Sequence, residues 1–188
     1  MNTTFDFNDG NGPVPAHQHA NGGGWVADTA TVADTSYVGT DARVFGRAEV
    51  YSEARVSGRA EVYGAARVSG DAQVRDYALV FGNAEVSGRA EVFEYAQVFG
   101  DARVYDRARV SGSALVYGSA LVYGNAEVSG RAEVYGEARV FECAQVRDYA
   151  LVFGNAEVYS EAQVRDRAEV SGRARVSGSA EVTDEVTE

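Results

Sequence analysis

One hexad, Val-x-x-x-Ala-x, recurs without insertion from Val26 to Val182 and constrains the chain more than any other feature. Val stands at every sixth position in 27 successive copies. The fourth residue after each Val is Ala, with two departures, Ser36 and Val186. Self-similarity at a short fixed period marks an array of stacked units rather than one folded globule. A strand alternates its side chains, so the Ala and Val of Ala-x-Val point to one side and the residues flanking Val to the other. The next two residues must then turn the chain. The first of them is Gly in 15 of 27 copies, and most of the others are Asp, Ser or Glu. Gly adopts positive φ freely, and Asp is among the residues next most tolerant of it. Each hexad therefore predicts a short strand followed by a corner.

Composition agrees with a narrow core. The apolar residues are mostly Val and Ala with Tyr and Phe; Leu is confined to Leu79, Leu115, Leu121 and Leu151, and Ile is absent. Such side chains fill a slender tube, not a thick helical core. All 17 basic residues are Arg. The net charge of -11 sits at the ends. Residues 1–41 hold five acids and no Arg, and Glu181, Asp184, Glu185 and Glu188 close the chain. The remaining 19 acids face 17 Arg, leaving -2 for the body. A basic nucleic-acid footprint is missing, and a DNA-like acidic face is disfavoured because both signs interleave. No stretch approaches the ~18 apolar residues of a membrane span. The single Cys143 allows no internal disulfide, which fits a reducing, cytoplasmic compartment. The N-terminal residues lack the basic and apolar runs of a signal peptide.

Residues 1–24, polar and rich in Gly and Asn, match no helix or strand template and predict a flexible, solvated leader before one β-domain over 25–188. His17 and His19, the two histidines of the chain, lie in it. Two ligands are too few for a defined zinc site, so no metal is expected. Trp25, just before the first repeat, is expected to plug the open end of the tube.

Six-residue strand-corner units with an aliphatic residue at one position and a small one four later resemble the hexapeptide-repeat proteins. The resemblance spans residues 26–186 and implies an all-β fold. That fold is a left-handed parallel β-helix, a triangular β-solenoid with three hexads to a coil. Twenty-seven hexads make nine coils of eighteen residues. At ~4.8 Å per coil the prism is about 43 Å long. The opening Gly22-Gly23-Gly24-Trp25-Val26 looks like that of short Ala-x-Val arrays of bacteria and phages. That likeness makes a phage-encoded inhibitor of a host system one expected subtype.

Positions eighteen apart stack in such a coil. The wall that holds Val44, Val62 and Val80 then carries Phe45, Tyr63, Phe81, Phe99, Tyr117, Tyr135 and Phe153, each followed by Gly. These seven rings are the candidate interface, because contiguous exposed apolar strips usually meet a partner. The series Glu49, Arg67, Glu85, Arg103, Leu121, Arg139, Glu157, Arg175 is expected before Val on the same wall, with opposite charges one coil apart. The second wall mixes Tyr51, Ser69, Ser87, Tyr105, Tyr123, Phe141 and Tyr159. The third has Ser57, Arg75, Phe93, Ser111, Ser129, Arg147 and Arg165, with Tyr77, Tyr95 and Tyr149 at its corners. Arg75, Arg147 and Arg165 are candidate anion-binding residues, with Asp76, Asp148 and Asp166 as competing ion-pair partners. The segment Ala72–Val86 recurs identically at Ala144–Val158, four coils on.

The resembled family includes acyltransferases with a His base and zinc-dependent carbonic anhydrases with three His ligands. Here no His lies in a coil and no loop leaves one, so no catalytic residue carries over. Cys143 and the wall Ser residues have no His partner. No Gly-x-x-x-x-Gly-Lys phosphate loop exists, so no cofactor is expected. The expected function is a non-enzymatic scaffold that self-associates through the aromatic wall. Family resemblance favours a trimer, and a host protein or a small anion is the expected further partner. Two alternatives stand beside it: an acyltransferase-like enzyme using His17 or His19, and an end-to-end filament.

Overall fold

The chain builds an all-β parallel solenoid, described for residues 3–187 in a computed structural model. Twenty-seven short strands, one per hexad from Trp25–Ala27 to Glu181–Val182, line up in three parallel sheets of stacked coils. The three-sided coil agrees with a triangular left-handed β-helix. Each strand pairs with the one eighteen residues on, so Arg67 lies between Glu49 and Glu85, and Val68 between Val50 and Val86.

The inward assignment of the hexad holds along the tube. Every Val from Val38 to Val170, and every Ala at the hexad position from Ala42 to Ala174, is wholly buried, whereas Ala65, at a corner, is exposed. Val stacks on Val and Ala on Ala, each removed from water by the coils above and below. Fully burying a Val side chain is worth about 1.5–3 kcal/mol, and stability accumulates by neighbour contacts as in other one-dimensional arrays. Backbone bonding repeats with the same period. In one hexad, Arg103, Tyr105 and Arg107 donate their amides to Ala120, Val122 and Gly124 of the next coil at 2.8–3.0 Å.

Left-handed backbone makes the corners. The residue two past Val has φ between 60° and 74° at every hexad from Gly46 to Gly178, including Ser52, Asp76, Glu94 and Asp106. At this position a side chain meets the coil above: a Cβ on Gly82 would lie 2.9 Å from the Gly100 amide nitrogen. Acidic corners turn that proximity to use. Asp76, Glu94, Asp106 and Asp148 accept the corner amide of the next coil at 2.6–3.3 Å, satisfying a donor that the ladder leaves over.

Four expectations change. The leader is not an unstructured arm. Its strands β1 (Thr4–Phe5) and β2 (Val14–Gln18) run antiparallel and add to the first wall through β3 (Trp25–Ala27). Phe5 and Phe7 drive this docking by stacking on Trp25 and Phe45. Trp25 does not plug the tube; it precedes Val26, so strand alternation turns it outward onto Phe5. Residues 19–24 cover the end instead. The Val38 amide donates to the Asn21 carbonyl and the Gly24 amide to the Val38 carbonyl, while the Asn21 amide and the His19 ring meet the Ser36 carbonyl. The series from Glu49 to Arg175 lies on the second wall, not the aromatic one, because a corner intervenes between each ring and the next pre-Val residue. Finally, Val186 is not a substitute for a core Ala. It pairs with Val170, sixteen residues back, and continues the first wall after a shortened last coil. Of the terminal acids, Glu188 lies outside the described residues.

Val104→Asp is expected to abolish the cooperative melt and the β-sheet circular dichroism, since an ion without a partner would enter the tube. Gly100→Ala is expected to cost roughly 1–2 kcal/mol for its left-handed backbone, seen as a lower denaturant midpoint. Gly100→Asp should cost less, because its carboxylate can accept the Gly118 amide.

Candidate interaction wall

The first wall presents one unbroken stack of rings. Phe7, Phe45, Tyr63, Phe81, Phe99, Tyr117, Tyr135 and Phe153 follow one another at centroid separations of 4.8–5.0 Å. From Phe45 to Phe153 neighbouring planes lie within 6° of parallel. Coil spacing imposes this order: identical rotamers on identical backbone must repeat at the rise of the helix. The seven rings expected at an interface are therefore all brought together. Phe45 is buried under the leader, and the other six are half-buried by their neighbours.

The wall is also short of charge, which the ring positions alone did not reveal. Before each Val it carries Arg43, Glu61, Leu79, Gln97, Leu115, Glu133 and Leu151. Three of the four Leu residues thus stand two coils apart beside the rings, and their spacing of 36 residues was the available signal. The second wall, by contrast, alternates sign. Arg67 meets Glu49, Arg103 meets Glu85, and both Arg139 and Arg175 meet Glu157, at 2.9–3.3 Å.

Polar atoms at the wall are tied into it. The Tyr117 hydroxyl donates to Glu133 Oε2 at 3.0 Å. Burial among its neighbours, followed by this bond to a carboxylate, pushes the Tyr117 phenol up to about 12. Burial also raises Tyr63 and Tyr135, with Glu61 and Glu133 adding to the respective effects. Near the leader, Arg43 reaches Glu61 at 3.3 Å and the Phe7 carbonyl at 3.4 Å. Burial outweighs the pull of Arg43 and lifts the Glu61 carboxyl above the usual range. Beside them an open cleft of about 670 Å³ lies between the leader's Phe5 and Trp25 and the corner residues Arg59 and Tyr77.

The remaining candidates are dispersed. Arg75 is held by Asp76 and Glu91 and lies 4.0 Å from the Phe93 centroid. Arg165 is paired with Asp166 and Glu181. Arg147, in the duplicated segment, instead donates to Gln163 at 2.8 Å, because the coil above supplies Gln where Arg75 finds Glu. Its Nε is buried without a partner. His17 pairs with Asp28 at 3.0 Å on the surface, whereas His19 is buried in the end cap, 3.1 Å from the Ser36 carbonyl. A role for His19 on a neighbouring subunit would require that cap to open. Cys143 is an exposed corner residue. No group of three or more metal-ligating residues forms among the described residues.

Comparison with known proteins supports the architecture. The family described as YdcK Beta solenoid repeat matches residues 102–118, about one coil. That match and the stacked coils fit a hexapeptide-repeat type of β-helix. No curated protein matches the chain.

Alkaline titration should register the Tyr117 environment. Its phenol is uncharged in the fold to higher pH than in the unfolded chain. Its contribution to stability is therefore complete below pH 10.0 and is lost as pH rises through about 12. Tyrosinate absorbance should show a late-ionising phenol in the wild type, and Glu133→Gln should bring that phase to lower pH.

Proposed function

We propose that the protein is a rigid β-solenoid scaffold that assembles with copies of itself through the first wall. The observation that carries this reading is the coincidence of the ring stack with Leu79, Leu115 and Leu151 on one flat face. The face is long, apolar and repeated at a fixed spacing, which suits contact with an equally regular partner. A second copy of this chain is such a partner. Tyr and Phe are enriched at interfaces generally, and a wall already ordered by stacking loses little side-chain entropy on docking. Three copies around a common axis is the assembly expected from the hexapeptide-repeat resemblance. The sign-alternating second wall would then face solvent. The exposed Cys143 suits a reducing compartment, and a host protein bound by the assembled rod is the reading's further extension.

Light scattering tests it. The expected mass is about three times the 20.0 kDa of one chain. The double variant Phe99→Glu, Leu115→Glu should fall to a monomer with unchanged circular dichroism, since both side chains point away from the core. A monomeric wild type at high concentration would refute the proposal.

A further inference from the structure

Besides the first-wall rings and a four-ring stack on the second wall, Tyr105, Tyr123, Phe141 and Tyr159, a column of planar groups runs along the corner between the third and first walls, and it has a gap. Successive coils place Arg59, Tyr77, Tyr95, Ser113, Arg131 and Tyr149 at this position. The Arg59 guanidinium lies over Tyr77 at 5.7 Å, Tyr77 stacks on Tyr95 at 5.0 Å, and the Arg131 guanidinium lies over Tyr149 at 5.5 Å. Only Ser113 supplies no planar group. Tyr95, directly below it, is 60% exposed, against 52% for Tyr149 and 45% for Tyr77, which is covered on both faces.

We infer that the Ser113 gap is a binding slot for one electron-rich aromatic ring, the side chain of a Trp or Tyr on a partner polypeptide. The floor is the bare face of Tyr95. The roof is Arg131, which has no carboxylate partner among the described residues. Two coil steps separate floor and roof, about 10 Å at the ~4.8 Å spacing of strands. One inserted ring would sit about 5 Å from each, the same spacing the protein uses in its own stacks. A guanidinium against a ring face favours electron-rich rings, indole and phenol above all. The Ser113 hydroxyl and the flanking Leu115 give such a ring a polar back and an apolar side. The Glu94 carboxylate, beside Tyr95 in sequence, accepts the Gly112 amide at 2.6 Å. Tyr95, Ser113 and Arg131 are all exposed, so the gap between floor and roof opens to solvent, which fits a side chain anchored by a longer peptide better than a free small molecule. The slot borders the first wall at Leu115, but its floor and roof, Tyr95 and Arg131, lie on the corner outside that wall, so it does not depend on the first wall being an interface.

The test is an NMR titration of the full chain with acetyl-Gly-Trp-Gly-amide, with acetyl-Gly-Ala-Gly-amide as control. Shifts at Tyr95, Ser113 and the Arg131 side chain are expected with the Trp peptide alone, at concentrations on the order of millimolar for a single anchored ring. Ser113→Tyr fills the gap with the residue that neighbouring coils already carry. It should leave the melting temperature unchanged or higher and abolish the shifts. Arg131→Ala should weaken binding several-fold while Arg59→Ala does not. Equal shifts in Ser113→Tyr, or none in the wild type, would overturn the slot. Free indole binding as tightly as the peptide would overturn the polypeptide as its source.

Discussion

A backbone that turns through the left-handed region once every six residues is the constraint on which the molecule rests. From Gly46 to Gly178 no corner escapes it. Because the corner period never drifts over that span, each coil presents its amides to the carbonyls of the next in one register. The Val and Ala columns follow from that register, since a slip by one residue would send the apolar side chains into solvent. Gly meets the constraint without strain, and acids meet it by offering a carboxylate to the amide above. The mixture of Gly, Asp, Glu and Ser at this position is thus one solution written with several residues.

The same periodicity dictates the exterior. On a solenoid, a residue's principal outside neighbours are the residues eighteen before and after it, so surface chemistry is organised as columns. Rings become stacks, alternating charges become ladders of ion pairs, and single substitutions become gaps. The two identical segments, Ala72–Val86 and Ala144–Val158, show how far this goes. Their coils are superposable in sequence, yet Arg75 finds two carboxylates and Arg147 finds a carboxamide. Side-chain contacts therefore belong to columns, not to the repeat unit.

Most of the interior was legible from the chain because Val and Ala keep strict positions, and the strand period of two assigns their direction. The first-wall rings were legible for the same reason. Legibility failed where local pattern yields to contacts distant in sequence. Phe5 and Phe7 sit in a polar, Gly-rich stretch, and nothing local indicates that Trp25 and Phe45 will receive them. Trp25 has the size of a plug, but alternation from Val26 turns it outward onto Phe5. Val186 keeps the six-residue count but changes role, because the last corner lacks the positive φ of its predecessors and the coil closes two residues early. The gap at Ser113 in the corner column was hidden in plain composition: a Ser among Tyr and Arg becomes notable only once the column is assembled.

The two ends of the rod are unequal. At one end the leader crosses the bore and buries His19 against the Ser36 carbonyl. At the other, Ala180 is exposed and Val182 only half-covered. Local opening costs least where fewest apolar contacts are buried, so amide protons beneath the leader are expected to exchange with solvent more slowly than those around Ala180 and Val182.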